Sequence, residues 1–342
     1  MAFQRGTGAQ RGARFVARGS VRLLALTGLL SLVIGLVGCR GGRLSAVKVP
    51  IASWPGYEYF YLARQRDLDT RSGLRIELAE YPDPQSIVHA YLRGELSLAQ
   101  LTTVEAVDLC GRAPQRCPVV VLVLDESRGA DQLAVHRGIA SIAALKGRTV
   151  AATYSTLGPY VLHRALERHG LSFSDVKLRN MPMAQMPSAL ASGEVQAAAF
   201  FPPFSDYAAR DGQSRVLFDS RSIPGEIFDV LVVAPDFLQE HGALLPPLLR
   251  AWQEAHRVAK IEPKEAVALM AKREQLSPAE FRAAERGLIY FSLEQQREML
   301  RPGGLIATNL EAVQRVQQQL GLTRPDAPLP AVQGGFVEAA LR

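Results

Sequence analysis

The 342-residue chain has only three cysteines, Cys39, Cys110 and Cys117, too few for a small fold stapled by disulfides. Long apolar runs are also missing, with one exception. Residues 23–38 hold sixteen consecutive uncharged residues, slightly short of the ~20 that a spanning helix needs. The six histidines are scattered, and His163 and His169 fall on different faces of one expected helix, so no metal site is expected. There is no phosphate-binding loop, dinucleotide fingerprint, HExxH or Gly-x-Ser-x-Gly elbow. Catalysis is therefore not announced, and no cofactor is expected. Acids are absent from residues 1–38, which carry Arg5, Arg11, Arg14, Arg18 and Arg22. The rest of the chain sets 34 cations against 33 anions, without the surplus that nucleic-acid binding requires.

What the first forty residues do contain is a basic stretch, an apolar stretch and a small residue before a cysteine, the order of an export signal. Leu36, Val37, Gly38 and Cys39 resemble the bacterial lipobox. Residues 1–38 are thus expected to be a lipoprotein signal peptide, and Cys39 to carry the lipid. The mature chain would then be anchored on the periplasmic or outer face of a bacterial membrane. An uncleaved short anchor would leave it on the same face. Arg40 stands where an aspartate would favour retention at the inner membrane. In an oxidising compartment Cys110 and Cys117, separated by six residues, are expected to form a local disulfide; two buried thiols are the plain alternative.

From Val47 onward short β-branched runs alternate with amphipathic helical ones, the pattern of an α/β protein with mostly parallel strands. Strands are expected at 47–52, 74–79, 96–101, 118–124, 148–153, 176–181, 195–200, 214–218 and 228–234. A helix is expected from about Pro159 to His169, with Gly170 at its left-handed end. After Asp236 the chain reads as nearly continuous helix, with Leu245, Leu248, Leu249, Trp252 and Ala255 on one stripe. The last twenty residues, rich in proline and glycine, read as a loosely attached tail. An internal echo is more informative: "LRGELSLAQL" (92–101) and "ASGEVQAAAF" (191–200) each end a helix, turn at Gly-Glu and enter a buried strand. Two similar lobes with a cleft at the hinge follow, because ligands of open α/β sheets bind outside the carboxyl ends of strands.

Five stretches carry a wider resemblance: "SWPGYEYFYLARQRDL" (53–68), "GELSLAQLTTVEAVDL" (94–109), residues 119–171, "AQMPSALASGEVQAAAFFPPF" (184–204) and "VLFDSRSIPGEIFDVLVVAPDFL" (216–238). In this order they resemble the periplasmic substrate-binding proteins of ABC importers of the nitrate, taurine and alkanesulfonate type. The resemblance implies the type II periplasmic-binding-protein (Venus flytrap) fold, an α/β architecture of two lobes joined by two crossing strands, with a helical C-terminal part. Lobe 1 is expected over 39–126 and 225–342, with a flexible tail from about 323, and lobe 2 over 127–224. It further implies a monomer that captures a small organic anion and presents it to an ABC permease in the inner membrane. Where such proteins commonly carry aspartate in both echo motifs this chain has Ser97 and Gln196, and Pro202-Pro203 replaces a Glu-Pro. Those changes put the usual ligand in question.

Candidate ligand residues follow from strand ends. Trp54, Gly56 and Tyr57 follow the first strand, the rings to cover a ligand and the glycine to let backbone N–H groups approach; core packing is the alternative. Thr102 and Thr103 serve as ligand donors or as helix caps. Ser127, Arg128 and Gly129 lie at a crossing with Asp131, and Arg128 is either an anion clamp or a solvated hinge residue. Ser155 and Thr156 precede a helix whose free N–H groups attract an anion. Phe201 and Pro203 belong to an apolar wall. Asp229, in an otherwise apolar strand, is a ligand acceptor or an interlobe latch. The expected activity is binding, not catalysis. A sensory module for a membrane signalling protein and a lyase or synthase on the same fold are the rival readings.

Overall fold

The computed structural model describes residues 44–210 and 212–342; the signal segment and Cys39 lie outside the described residues. The first layer, called the first sheet below, sets the two-stranded ladder of β1 (Ala46–Ile51) and β2 (Arg75–Glu80) beside the ladder that holds β3 (Leu98–Thr102) and β4 (Val119–Ser127). The second contains β5 (Gln132–His136), β6 (Thr149–Ala152), β7 (Lys177–Asn180), β8 (Ala197–Phe200) and β9 (Ser214–Asp219), after which β10 (Phe228–Val233) returns to the first. Two short strands, β11 (Leu288–Ile289) and β12 (Ala331–Val332), pair with β4.

The second sheet runs β7-β6-β8-β5-β9. In the first, β3, β10 and β4 are hydrogen-bonded, β1 pairs with β2, and β1 lies beside β3, where Gln100 Nε2 donates to the Pro50 carbonyl at 2.9 Å. The spatial order β2-β1-β3-β10-β4 therefore matches the second sheet, with the two echo segments ending in its third strand. The expected strands are present, but the expected predominance of parallel pairing is not. β10 runs antiparallel to β3 and β4, and β5 antiparallel to β8 and β9. The reason is topological: β4 carries the chain out to the second sheet and β10 brings it back, so these neighbours must run in opposite directions. β5, with three buried central residues, is a strand that the sequence reading did not expect.

The chain leaves the first sheet after Ser127 and comes back between Asp219 and Phe228. The two crossings are tied side by side. Ser127 N–H donates to the Ile227 carbonyl (3.1 Å), Ser220 N–H to the Asp131 carbonyl (3.0 Å), and the Ser127 and Ser220 hydroxyls share a hydrogen bond of 2.8 Å.

Helices cover both sheets: α1 (Glu58–Gln65), α2 (Pro84–Leu92), α3 (Thr103–Arg112), α4 (Gly158–Glu167), α5 (Leu245–Ile261), α6 (Leu305–Gln319) and α7 (Gly335–Ala340) among them. The apolar stripe of α5 is buried as its spacing predicts, against α1 and α7. α6 packs on α3. The C-terminal segment is not the loose tail expected from its prolines and glycines. β12 adds to β4, Val337 of α7 is buried, and a Cβ on Gly334 would press on the Leu300 carbonyl at 3.1 Å. Gly334 thus permits close approach instead of freedom.

Candidate functional site

The carboxyl ends of β1 and β3 and the amino end of β10 face the segment after β6 and the end of β8. Between them lies a cleft lined by Trp54, Tyr57, Leu101, Thr102, Glu105 and Asp229 from the first-sheet side, with Pro84, and by Asp131, Leu157 and Phe201 from the other. Its volume is about 10 Å³, room for about one water, so the walls must separate to admit an organic molecule. Trp54 meets Phe201 edge to face, with ring centroids 5.3 Å apart, a contact between the two sides.

A break in register aims the acids. Asp229 pairs with Asp125 and Val230 with Val123, leaving Leu124 as the extra residue of a β-bulge. Asp125 and Asp229 thus stand side by side at the cleft floor. Trp54 Nε1 donates to Asp125 Oδ2 (3.1 Å), and the Tyr57 hydroxyl donates to Asp229 Oδ1 (2.6 Å). Burial raises the pKa of Asp229, and the charge of Asp125 adds to it. Burial likewise raises Asp125 and pushes Asp131 up to about 7. The Tyr57 phenol is raised by burial and by Asp229, so it remains a donor. Glu105 is raised by burial, against which its several hydrogen bonds work. The lining holds Glu105, Asp131 and Asp229 and no lysine, arginine or histidine.

Glu105 joins the two sides. It is the third residue of α3 and completes a capping box with Thr102, accepting from the Thr102 N–H at 3.0 Å and from its hydroxyl. Its other oxygen, Oε1, accepts the N–H of Leu157 at 2.8 Å, at the start of α4. The place expected for a ligand anion is thus taken by the chain's own carboxylate.

Of the expected ligand residues, Trp54, Tyr57, Thr102, Phe201 and Asp229 meet in the cleft. Gly56 stands behind it, where a Cβ would overlap Asp125 Oδ2. Thr102 caps α3, and Asp229 accepts from Tyr57 on its own side of the cleft. Arg128 pairs with Glu126 at 2.5 Å, away from the lining, and Ser127 and Gly129 hold the crossings together. The Ser155 hydroxyl accepts from Arg112 (3.0 Å) and the Thr156 hydroxyl donates to the Thr153 carbonyl (2.7 Å). Thr103 and Pro203 are buried but do not line the cleft. Cys110 and Cys117 are disulfide-bonded across the end of α3. Gln196 bonds to Thr149 N–H and the Gly193 carbonyl (3.1 and 2.7 Å), and Ser97 accepts from Ala234 N–H (2.8 Å). Both sit where strands begin, at the end away from the cleft, so these departures do not alter the lining. Sequence reading missed Glu105, although Thr-x-x-Glu is a capping-box spacing, and Asp125, although it is an acid in an apolar strand just as Asp229 is.

Two sheets of matching order, two crossings and a cleft at the strand ends define the fold of the periplasmic binding proteins. A family model described as NMT1/THI5-like matches residues 54–266, and the chain belongs to that family. A curated relative from Escherichia coli (strain K12), whose name assigns it to aliphatic-sulfonate binding, is 25% identical over 208 residues. The match spans 58% of this chain and 62% of that relative, less than two thirds of its length. Among solved structures, the alkanesulfonate-binding protein SsuA from Xanthomonas axonopodis pv. citri, bound to MOPS, superposes with a TM-score of 0.68 at 16% identity, over 82% of this chain and 94% of that one. The desulfurization enzyme DSZB has a TM-score of 0.63 at 18% identity, over 87% and 99%. At such identities these likenesses speak for the fold alone.

Proposed function

We propose that the chain is the extracytoplasmic solute-binding component of an ABC importer, anchored through a lipid on Cys39, monomeric, with a membrane permease as its partner. The two sheets are the cores of two lobes that close on a small organic molecule. The observation that carries this reading is the lining itself: residues from both sides of two crossings converge on one cleft. A ligand touching both sides has differential affinity for the closed form and draws the population there. Binding, not turnover, is the activity. Among the described residues Cys110 and Cys117 are tied to each other, and the lining hydroxyls of Thr102 and Tyr57 are engaged by Glu105 and Asp229. The sulfonates named for relatives do not transfer with the fold, because the lining acids here have no cation beside them.

The test is a thermal-shift screen of the full chain in detergent against amines, amidines, sulfonates, carboxylates and neutral heterocycles. A ligand at about a hundred times its Kd adds about 2.7 kcal/mol and raises Tm without being consumed. Conversion of a compound, followed by mass spectrometry, would favour the enzymatic reading instead.

A further inference from the structure

We infer that the cleft takes an organic cation, an amidinium or related protonated nitrogen base on a flat apolar body, whose N–H groups meet the carboxyls of Asp131 and Asp229. The inference rests on the solute-binding reading and supplies its ligand class. Asp131 and Asp229 are each 2% exposed, and both line the cleft. Asp131 Oδ2, Asp229 Oδ2 and the neighbouring Asp125 Oδ1 have no hydrogen-bond partner, although buried polar atoms of native proteins almost always do. Asp125 and Asp229 can hold one proton between them. Asp131 Oδ2 has no such neighbour. A ligand bearing N–H donors and positive charge satisfies these oxygens, whereas a sulfonate would add a further anion to a site that has no counter-charge.

The rest of the lining agrees. Trp54, Tyr57 and Phe201 offer aromatic surface to a flat cation. At the start of α4 the Leu157 N–H is already bonded to Glu105, and the Gly158 N–H faces the Thr156 hydroxyl at 3.4 Å. Arg128 and Arg221, the guanidinium groups at the crossings, are paired with Glu126 and Asp219. A bare metal ion does not fit, since no three of the described His, Cys, Asp or Glu residues are arranged to hold one.

The experiment titrates the full chain with benzamidine and with benzenesulfonate, the same ring carrying opposite charges. Benzamidine is expected to bind and benzenesulfonate not. Asp131→Asn and Asp229→Asn should each weaken benzamidine by roughly ten- to a hundredfold, with folding checked by circular dichroism. Should either variant fail to fold, the wild-type affinity decides: it should rise as pH passes through about 7 and Asp131 ionises, while benzamidine stays protonated. Equal or tighter binding of benzenesulfonate, or a benzamidine affinity indifferent to both variants and to pH, overturns the inference. If neither probe binds but another member of the solute screen does, the cation is refuted and the solute-binding reading stands. If nothing in that screen binds, both fall.

Discussion

Glu105 should hold the cleft closed without any ligand. Its bond to the Leu157 N–H is short, buried and charge-assisted, and it joins the start of α3 to the start of α4 across the opening. Such bonds contribute about 1.5–3 kcal/mol net of hydration. Opening exposes both groups to water and forfeits that amount, so Glu105→Ala should lower the closed-to-open ratio by roughly ten- to a hundredfold. A chain that is nine-tenths closed would fall to about half closed or less. Energy transfer between labels at Glu77 and Lys177, both exposed and on the outer strands of the two sheets, reads the change directly. Glu105 also belongs to a capping box, so loss of the cap must be separated from loss of the latch. Thr102→Val removes the capping hydroxyl but leaves Leu157 bonded to Glu105; it should cost about 1 kcal/mol of stability and leave the label distances alone. Unchanged distances in Glu105→Ala, or the same change in Thr102→Val, would refute the latch.

Three further outcomes follow from buried groups. Because Asp131 is pushed up to about 7, the folded chain binds its proton more tightly than the unfolded one; that stability is complete at acid pH and is lost as pH rises from about 4 to about 7, up to about 4 kcal/mol. Ser127, Glu105 and Asp229 face it, and His256, which burial holds well below its ordinary value, contributes the opposite slope below about pH 6.5. The urea midpoint of wild type minus that of Asp131→Asn isolates the effect, and a difference independent of pH would count against it. Gly56→Ala should displace the Asp125 carboxyl and break the Trp54 bond, costing about 1–3 kcal/mol by overpacking; calorimetry should show this with loss of ligand binding. Replacing Cys110 and Cys117 together by serine opens an eight-residue loop and should cost about 2.5 kcal/mol by the chain-entropy argument, measured by urea denaturation of both forms.

The fold was readable because its determinants are local and repeated. Short apolar or β-branched runs mark most of the strands, and the two Gly-Glu turns mark the third strand of each sheet. Pairing direction was not readable, since it depends on where the chain crosses between sheets. The tail misled for a related reason: proline and glycine count toward looseness until a partner is known, and β12 finds its partner in β4, more than two hundred residues earlier. Within the site, Trp54, Tyr57 and Asp229 stood out as large rings or an acid at strand ends. The same rule names Asp125, but its place against Gly56 depends on a bulge that no residue type announces.

The ligand's charge is the property least safely carried from relative to relative. A binding-protein fold is held by strand order, the crossings and helix stripes, and none of these fixes the charge of the side chains that line the cleft. In this chain the start of α4, a ready anion site on general grounds, is neutralised by one glutamate reaching over from α3. Once Glu105 is there, the remaining acids have no anion to oppose and no cation to balance them, so their burial is tolerable only with protons or with a positively charged guest. A single substitution can therefore invert preference on an unchanged backbone. Glu105→Gln, which keeps the shape and removes the charge, is the variant expected to move this cleft furthest toward tolerating an anion.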